Sequence, residues 1–558
     1  MTPEVSTELL GRVRAWQDDD PDPRTAAELE ALVVAAATDE AAANDLTDRF
    51  SGTLQFGTAG LRGAMGAGPM RMNRLTVGRA AAGLAAWLGD HGGRSVVIGY
   101  DARTDSDVYA RDTAQIMSGA GLAAMVLPHP LPTPVLAFAI GHLGASAGVM
   151  VTASHNPAAD NGYKVYLGDG SQIVPPTDTE IASQITAVAR LSDVPRGDDW
   201  TVLDDSVLDA YLDHAASLVP SDSPRDLLIV TTAMHGVGGA PLAAALRRAG
   251  FPAALPVAEQ ADPDPAFPTV AFPNPEEPGA LDLALALAGT VGADLVLAVD
   301  PDADRCAVAV PTGDVGWRPL TGDELGGLLG EFLASRGVTG TYATTIVSSS
   351  RLSRIAAAHD QPYAQTLTGF KWIGRVPRLA FGYEEAIGYC VDPGSVADKD
   401  GITASLRVAE LAARLKAEGR SLLDALDDLD RRYGVHQTSQ ISVRSHDREA
   451  LGAVVTRLRD DPPGEVGGLA VRRVEDLATG VDGLPPTEGL RLSLAGPVED
   501  GTARLIVRPS GTEPKLKAYL EVMVPVSDDD LAAARDTAAV AIRALRADVS
   551  SLLGAPTA

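Results

Sequence analysis

A short apolar run that ends at a polar loop is the feature that most constrains the fold of this 558-residue chain. Residues Ala147 to Val151 are all apolar, and the loop Thr152 to Pro157 follows directly. A continuous apolar run of this length is typical of a strand buried on both faces, and open α/β proteins bind ligands at the loops after such strands. The pattern therefore predicts an α/β fold with Ser154 at the mouth of a sheet.

Two interpretations of the Ser154 loop stay open at this point. Ser154 could act as a nucleophile, because His155 and Lys164 are close in sequence and either could accept its proton. A polar turn that caps the next helix explains the same six residues, since serine, histidine and asparagine are all ordinary loop residues. The rest of the chain has to decide between them.

Three aspartates alternate on a second loop, which follows the apolar run Ala293 to Val299. Asp300, Asp302 and Asp304 would repel one another unless a cation neutralised them. Short carboxylate side chains are ligands that Mg²⁺ prefers. A solvated acidic turn is the alternative, but such a turn does not normally follow a buried strand. We therefore expect a magnesium site on this loop.

Length and composition indicate a globular protein of three to four domains, at about 150 residues per domain. The chain has 74 acidic and 46 basic residues and a net charge of -28, which argues against a nucleic-acid-binding protein. Two cysteines, Cys306 and Cys390, are too few for a disulfide framework and are consistent with a reducing cytoplasm. No export signal or bilayer-length apolar run is evident, so we expect no membrane partner.

Strand and helix patterns alternate along the chain and predict five parts. The last part differs from the three before it, because it reads as strand, helix, several strands and a terminal helix. The predicted parts are a helical extension (1–50), a domain with the Ser154 loop (51–218), a domain with the aspartate loop (219–321), a third α/β domain (322–435) and a C-terminal domain (436–558).

Two glycine-containing loops carry basic residues that could bind a phosphate. Phe56 to Gly63 contains three glycines, which allow backbone amides to approach a ligand, and Arg62 supplies a guanidinium group. Arg508 to Lys515 combines basic residues, two hydroxyls and glycine-flanked amides in a compact anion nest. A plain turn is the alternative in both places.

Three loops between residues 368 and 401 carry weaker signals. Lys371 is either an anion contact or a surface lysine. Glu384 and Glu385 lie between glycines and could hydrogen-bond sugar hydroxyls. Lys399 is either a pocket cation or half of a surface ion pair.

Four of these loops together resemble the active-site loops of the α-D-phosphohexomutases. In chain order they are Thr152 to Pro157, Asp300 to Arg305, Tyr383 to Gly388 and Arg508 to Thr512. Further strings are similar to the branch of phosphoglucomutase-2-like and phosphopentomutase enzymes: Phe56 to Gly63, Asp160 to Lys164, Thr368 to Trp372 and Asp398 to Gly401. The resemblance implies three topologically similar α/β domains plus a smaller C-terminal α+β domain around a central cleft.

The resemblance also implies a role for each matching residue. Ser154 would carry the phosphoryl group and would bind Mg²⁺ together with Asp300, Asp302 and Asp304. Four residues would complete the catalytic set by stabilising phosphoryl charge or moving protons: Arg62, His155, Lys164 and Lys399. Substrate would contact Arg305, Thr368, Gly369, Lys371, Glu384, Glu385, Arg508, Ser510, Gly511, Thr512 and Lys515.

The implied reaction is the interconversion of a sugar 1-phosphate and 6-phosphate, of the phosphoglucomutase/phosphomannomutase type. Phosphoserine would give its phosphoryl group to a sugar monophosphate, the bisphosphate would reorient, and the enzyme would take back the other phosphate. A sugar bisphosphate such as glucose 1,6-bisphosphate would be the activator. We expect a cytoplasmic monomer or weak dimer, without a nucleic-acid partner.

One departure from the family pattern leaves the sugar open. Many hexomutases have a serine where this chain has Ala386, so one hydroxyl contact is missing and ribose 1-phosphate/5-phosphate conversion is an alternative. A metal-dependent sugar phosphatase would need no second phosphate site, and the 508–512 loop therefore argues against it. A non-catalytic sugar-phosphate-binding protein would not need Ser154 and all three aspartates. The general base stays open between His155, Lys164 and Lys399.

Overall fold

The computed structural model describes residues 5–57, 60–313, 316–444, 448–509, 515–527 and 530–554. The chain packs as two units. The first comprises the described residues up to Leu320 together with Gly388–Arg414. The second comprises Thr321–Ile387 and the described residues from Leu415 onward.

Three helices precede the first sheet: α1 (Thr7–Gln17), α2 (Pro23–Ala36) and α3 (Glu40–Arg49). Each helix has its own N-cap, because the side chains of Ser6, Asp22 and Asp39 accept hydrogen bonds from backbone amides of the following turn. Leu29 and Leu46 are fully buried against the apolar core of the first sheet. The helices therefore belong to the first α/β core.

The first sheet is mixed and has six strands. Its elements are β1 (Leu61–Ala64), α4 (Arg74–Asp90), β2 (Ser95–Tyr100), α5 (Ser106–Gly119), β3 (Ala123–Val126), α6 (Thr133–Leu143), β4 (Ala147–Val151), β5 (Asp160–Leu167), α7 (Thr177–Ala187), β6 (Thr201–Val202) and α8 (Ser206–Ser217). The strand order is β1-β5-β4-β2-β3-β6. Strands β2, β3, β4 and β6 are parallel, whereas β5 runs antiparallel to β4 and β1. Every residue of β4 is buried, as its apolar sequence predicts.

The second sheet repeats this pattern. Its elements are β7 (Ile229–Thr232), α9 (Gly239–Arg248), β8 (Leu255–Pro256), α10 (Asp282–Val291), β9 (Leu295–Val299), β10 (Cys306–Pro311) and β11 (Trp317–Pro319). The order is β11-β10-β9-β7-β8. Strands β7, β8 and β9 are parallel, and β10 returns antiparallel beside β9. Strand β9 is buried along its whole length.

The third α/β part contains α11 (Gly322–Ser335), β12 (Thr341–Thr345), α12 (Arg351–Ala358), β13 (Tyr363–Thr366), α13 (Phe370–Ile373) and β14 (Leu379–Glu384). Strand β12 pairs in parallel with β13 on one side and β14 on the other. The other two sheets have the same arrangement. Strand β2 lies between β3 and β4, and strand β7 lies between β8 and β9. The prediction of three topologically similar α/β domains is confirmed.

The next segment contains β15 (Gly388–Cys390) and α14 (Gly401–Ala417). Residues Gly388–Arg414 pack with the first unit. Asp400 caps the N-terminus of α14, because its Oδ1 accepts hydrogen bonds from Ile402 N at 2.9 Å and Thr403 N at 3.0 Å. This segment brings Lys399 into the first unit.

The C-terminal part contains α15 (Leu422–Tyr433), β16 (Val435–Arg444), α16 (Arg448–Asp460), β17 (Glu465–Val466), β18 (Leu469–Asp476), β19 (Leu490–Ala495), β20 (Thr502–Pro509), β21 (Lys515–Val524) and α17 (Leu531–Leu553). Its sheet has the order β16-β21-β20-β19-β18-β17, and the pairs are antiparallel. Helices α16 and α17 pack on this sheet. The predicted α+β character of the C-terminal domain is confirmed. Within the described part of the chain, no helix has the length and apolar composition needed to cross a bilayer.

Candidate active site

The loop after β4 holds Ser154 in a left-handed backbone conformation, with φ of 52°. Ser154 N donates a hydrogen bond to Thr152 Oγ1 at 2.8 Å, and Thr152 N donates to Gly162 O at 3.1 Å. A Cβ atom at position 162 would lie 2.5 Å from Thr152 O, so only glycine allows β5 to approach the loop this closely. Ser154 is 2% exposed and is therefore held within the domain.

The loop after β9 turns sharply back into β10. Ala303 N donates to Asp300 O at 2.8 Å, and Arg305 N donates to Asp300 Oδ1 at 3.0 Å. As a result, one carboxylate oxygen from each of the three loop aspartates lies within 4.8 Å of the others. All three aspartates are buried.

The serine loop and the aspartate loop are in direct contact. Ser154 Oγ donates a hydrogen bond to Asp300 Oδ2 at 2.9 Å, across 146 positions of sequence. The same hydroxyl oxygen lies 3.1 Å from His155 Nδ1. The structure therefore brings Ser154, His155 and Asp300 together at the carboxyl ends of two buried strands.

Two lysines from different elements face the aspartate loop. Lys164, on β5, donates from Nζ to Asp302 Oδ2 at 2.6 Å and to Asp304 Oδ2 at 2.9 Å. Lys399 Nζ lies 3.2 Å from Asp304 Oδ2. Burial alone would lower the pKa of the Lys164 ammonium, but Asp302 and Asp304 reverse this effect and raise its pKa. The two carboxylates therefore favour the charged form of Lys164.

The donor set of this cluster fits a hard divalent cation. Asp302 Oδ1 and Asp304 Oδ1 are buried and accept no hydrogen bond from any described residue. Burial, and then the charges of Asp302 and Asp304, raise the pKa of Asp300 well above its usual value, so the positive charge near Asp300 does not offset its burial. Three carboxylates and the Ser154 hydroxyl offer the all-oxygen ligands that suit Mg²⁺.

His155 is half-buried, and the charges of two guanidinium groups act on it. Burial lowers its pKa well below 6.5, and the charges of Arg305 and Arg62 lower that pKa further. The imidazole is therefore neutral at pH 7. Arg62 Nη1 also donates to Asn156 Oδ1 at 3.1 Å, which joins the glycine-rich loop to the serine loop.

The backbone on both sides of Lys399 is anchored by tyrosines. Asp398 Oδ2 accepts a hydrogen bond from Tyr166 OH at 2.8 Å, and the Asp400 carboxylate accepts one from Tyr211 OH at 2.9 Å. A Cβ atom at Gly401 would clash with the carbonyl of Arg305, so the segment packs directly on the aspartate loop. Lys399 is thus held beside Asp304 by a rigid turn.

The glutamate pair lies in the second unit, and its members differ. Glu385 Oε2 accepts hydrogen bonds from Ser348 Oγ at 2.9 Å and Thr345 Oγ1 at 3.2 Å, so its carboxylate binds the end of β12. Glu384 is the last residue of β14 and is half-buried. The family resemblance predicts that Glu384 is the glutamate that binds the sugar hydroxyls.

Of the remaining expected substrate contacts, Arg305 lies in the first unit, and the other described ones lie in the second. Thr368 and Gly369 are half-buried and follow β13, and Lys371 in α13 has its Nζ 5.8 Å from the centroid of the Trp372 ring. Arg508 lies near the end of β20, and Lys515 begins β21. Ser510, Gly511 and Thr512 lie outside the described residues.

Two buried residues at the site were missed by sequence reasoning. Thr133, the first residue of α6, donates from Oγ1 to Asp302 Oδ2 at 2.6 Å and from its backbone N to Asp302 O at 2.9 Å. Arg103 follows β2 and donates to backbone carbonyls of the Ser154 loop. Both residues follow parallel strands, at the sheet edge where ligands are expected. That position is the signal that could have found them.

Comparison with known proteins decides the family. Four stretches match the successive domains described as "Phosphoglucomutase/phosphomannomutase": alpha/beta/alpha domain I at residues 53–191, domain II at 209–313, domain III at 321–433 and the C-terminal domain at 489–539. The chain belongs to this family. The predicted family and the predicted enzyme class, a phosphosugar mutase, are thereby confirmed.

Individual members of the phosphoglucomutase/phosphomannomutase family show how far the similarity extends. A "Probable phosphomannomutase" of Haemophilus influenzae is 49% identical over 460 residues, covering 81% of this chain and 93% of the relative. The human "Phosphopentomutase" is 35% identical and covers 87% of each chain. The solved structure of a putative phosphomannomutase from Thermus thermophilus has a TM-score of 0.71 at 24% identity, covering 90% of this chain and 99% of that one. That structural similarity supports the fold.

Proposed function

We propose that the chain interconverts the 1-phosphate and 6-phosphate of a hexose through a phosphoserine at Ser154 and a sugar bisphosphate. The observation that carries the proposal is the contact of Ser154 Oγ with Asp300, at 2.9 Å, inside a cluster of three converging carboxylates. A hydroxyl in an all-oxygen cation site is suited to accept and release a phosphoryl group. The 49% identical probable phosphomannomutase supports a hexose as substrate.

The cation of this site would be Mg²⁺, held by Ser154, Asp300, Asp302 and Asp304. When bound, it would neutralise the carboxylates and stabilise the negative charge of the phosphoryl group. Lys164 contributes a fixed positive charge beside the same oxygens. His155, neutral and 3.1 Å from Ser154 Oγ, is the better placed acceptor for the serine proton, because Lys164 is already protonated.

The other substrate contacts are proposed from the family pattern together with the contacts in the second unit. Glu384 would bind sugar hydroxyls, as the family pattern implies, and the carboxylate of Glu385 is hydrogen-bonded to Ser348 and Thr345. The second phosphate would bind the loop from Arg508 to Lys515, which includes Ser510, Gly511 and Thr512. Further contacts would come from Arg62, Arg305, Thr368, Gly369, Lys371 and Lys399.

Ribose 1-phosphate/5-phosphate conversion is the second candidate function. It is favoured by the 35% identical human phosphopentomutase and by Ala386, which removes one hydroxyl from the predicted sugar site. Parallel rates on glucose, mannose and ribose 1-phosphates, each with its own bisphosphate activator, would rank the two candidates. A higher kcat/KM for the ribose substrate would overturn the hexose proposal.

The deciding experiment compares Ser154→Ala with Ser146→Ala, a serine just before β4. Incubation with glucose 1,6-bisphosphate and Mg²⁺ should add one phosphoryl mass to the wild type and to Ser146→Ala, and none to Ser154→Ala. Glucose 1-phosphate conversion should disappear only in Ser154→Ala. Unchanged conversion would refute the phosphoserine, and release of free phosphate at the rate of substrate loss would indicate a phosphatase.

We also propose the predicted domain boundaries, a cytoplasmic location and a monomeric or weakly dimeric state. Both thiols, Cys306 and Cys390, are free and buried, which supports a reducing compartment. A net charge of -28 implies that two copies of the chain repel each other, which supports a monomer or at most a weak dimer. Sedimentation velocity would test the oligomeric state.

A further inference from the structure

We infer that Arg103 is a positioning residue that fixes the phosphoserine loop, an inference that rests on the proposed function. Its Nη2 donates to Ser154 O at 2.5 Å and Asn156 O at 2.6 Å. Its Nη1 donates to Pro157 O at 2.8 Å and Asp160 O at 3.2 Å. One guanidinium group therefore binds four carbonyls of the segment that begins at the reacting serine.

The guanidinium group is itself held on two further sides. Its Nε lies 3.3 Å from Asp101 Oδ2, and both side chains are 1% exposed. Asp101 Oδ1 accepts hydrogen bonds from Arg103 N at 3.0 Å and from Ser106 Oγ at 2.8 Å, which ties the pair to the start of α5. The ring of Phe267 lies 4.9 Å from the guanidinium carbon. The planar group thus has a single fixed orientation.

This arrangement bears directly on the position of Ser154 Oγ. A left-handed backbone is disfavoured for serine, and such a conformation persists only where the surroundings hold it. Arg103 binds the carbonyl of that same residue, and the hydroxyl then lies 2.9 Å from Asp300 Oδ2. Because in-line phosphoryl transfer depends on alignment, release of the loop would slow the chemical step more than it would weaken substrate binding.

Lysine cannot reproduce this geometry. An ammonium group is a point charge on a flexible chain, whereas the planar guanidinium group directs the N–H bonds of Nη1 and Nη2 outward in a single plane. Arg103→Lys keeps the charge beside Asp101 but cannot bind all four carbonyls. The substitution therefore separates loop positioning from charge balance.

Arg74→Lys is the matched control, because Arg74 forms a bidentate pair with buried Asp112 in the same domain and its Nη1 donates to Pro21 O, away from the serine loop. We expect the rate of Ser154 phosphorylation by glucose 1,6-bisphosphate, followed by intact mass at saturating Mg²⁺, to fall about 100-fold in Arg103→Lys. The KM of Arg103→Lys for glucose 1,6-bisphosphate should stay near the wild-type value. Arg74→Lys should have the phosphorylation rate and the KM of the wild type.

Amide hydrogen exchange supplies a readout that needs no catalysis. Peptides covering residues 153–161 should exchange faster in Arg103→Lys than in Arg74→Lys or the wild type. If Arg103→Lys does not fold, Asp101→Asn is measured in its place, because it keeps the Oδ1 acceptor but removes the Oδ2 atom that faces Arg103 Nε. The inference is overturned if the tested variant has the phosphorylation rate and the amide exchange of the wild type. It is also overturned if Arg74→Lys loses as much phosphorylation rate as the tested variant. If the wild type forms no phosphoenzyme, the proposed function fails, and exchange alone decides the role of Arg103.

Discussion

The hydroxyl of Thr133 should control Mg²⁺ affinity through Asp302, and Thr133→Val tests this. Valine has nearly the same shape, and the backbone hydrogen bond from position 133 to Asp302 O, at 2.9 Å, is retained. The substitution removes only the hydroxyl, which donates to Asp302 Oδ2 at 2.6 Å. Without it, the Asp302 carboxylate loses one hydrogen-bond donor and is less firmly oriented.

The expected magnitude follows from the kind of contact that is lost. A hydrogen bond to a charged group contributes about 1.5–3 kcal/mol. Loss of a partner that orients a metal ligand typically lowers metal affinity about 10–100-fold, which corresponds to about 1.4–2.7 kcal/mol. We expect Thr133→Val to lower Mg²⁺ affinity within this range, since Lys164 still binds Asp302 Oδ2 in the variant.

Isothermal titration with MgCl₂ measures the affinity directly, with two controls. Thr133→Ser keeps the hydroxyl and should bind Mg²⁺ like the wild type. Thr113→Val removes another buried hydroxyl of the same domain, which donates to Tyr109 O at 2.8 Å, and should lower stability without changing Mg²⁺ affinity. If Thr133→Val binds Mg²⁺ as tightly as the wild type, the hydroxyl does not orient the ligand and the reasoning is wrong.

Two further predictions concern stability. Lys164→Met should lower the free energy of unfolding in EDTA by about 3–5 kcal/mol, because it leaves buried Asp302 without its ion-pair partner, and Mg²⁺ should recover part of the loss. Equal melting temperatures in EDTA would contradict this. Burial raises the pKa of Asp323 to about 7 from 3.8, so the folded protein binds more protons than the unfolded chain between these values, and stability from this group falls as pH rises through that window. Asp323→Asn keeps an acceptor for Ser349 N, at 2.7 Å, and should flatten the dependence of the urea midpoint on pH between about 4 and 7. A slope equal to that of the wild type would contradict the assignment.

The general base illustrates how local sequence and tertiary contacts answer different questions. His155, Lys164 and Lys399 were equivalent candidates in sequence, because each is a potential proton acceptor near a predicted loop. The ion pairs of Lys164 keep it protonated, and burial beside guanidinium groups keeps His155 neutral. The ionisation state of a side chain depends on the charges and burial around it, and the sequence alone does not predict these.

The sequence by itself determined the fold class and the principal loops of the site. Unbroken apolar runs such as β4 and β9 are stable only when both faces of the strand are buried. Burial of both faces requires helices on both sides of a parallel sheet. The carboxyl ends of those strands then present Ser154 and the three aspartates at the sheet edge. These conclusions follow from local chemistry and from the repetition of one strand and helix pattern.

Only the tertiary structure decided which side chains support that chemistry. Arg103 and Thr133 follow strands as many residues do, and their roles depend on contacts with segments more than fifty positions away, such as Asn156 and Asp302. The carboxylate of Glu385 accepts hydrogen bonds from Thr345 and Ser348, which lie about forty positions earlier in the chain. Such roles arise from the packing of distant segments, which local residue patterns do not predict.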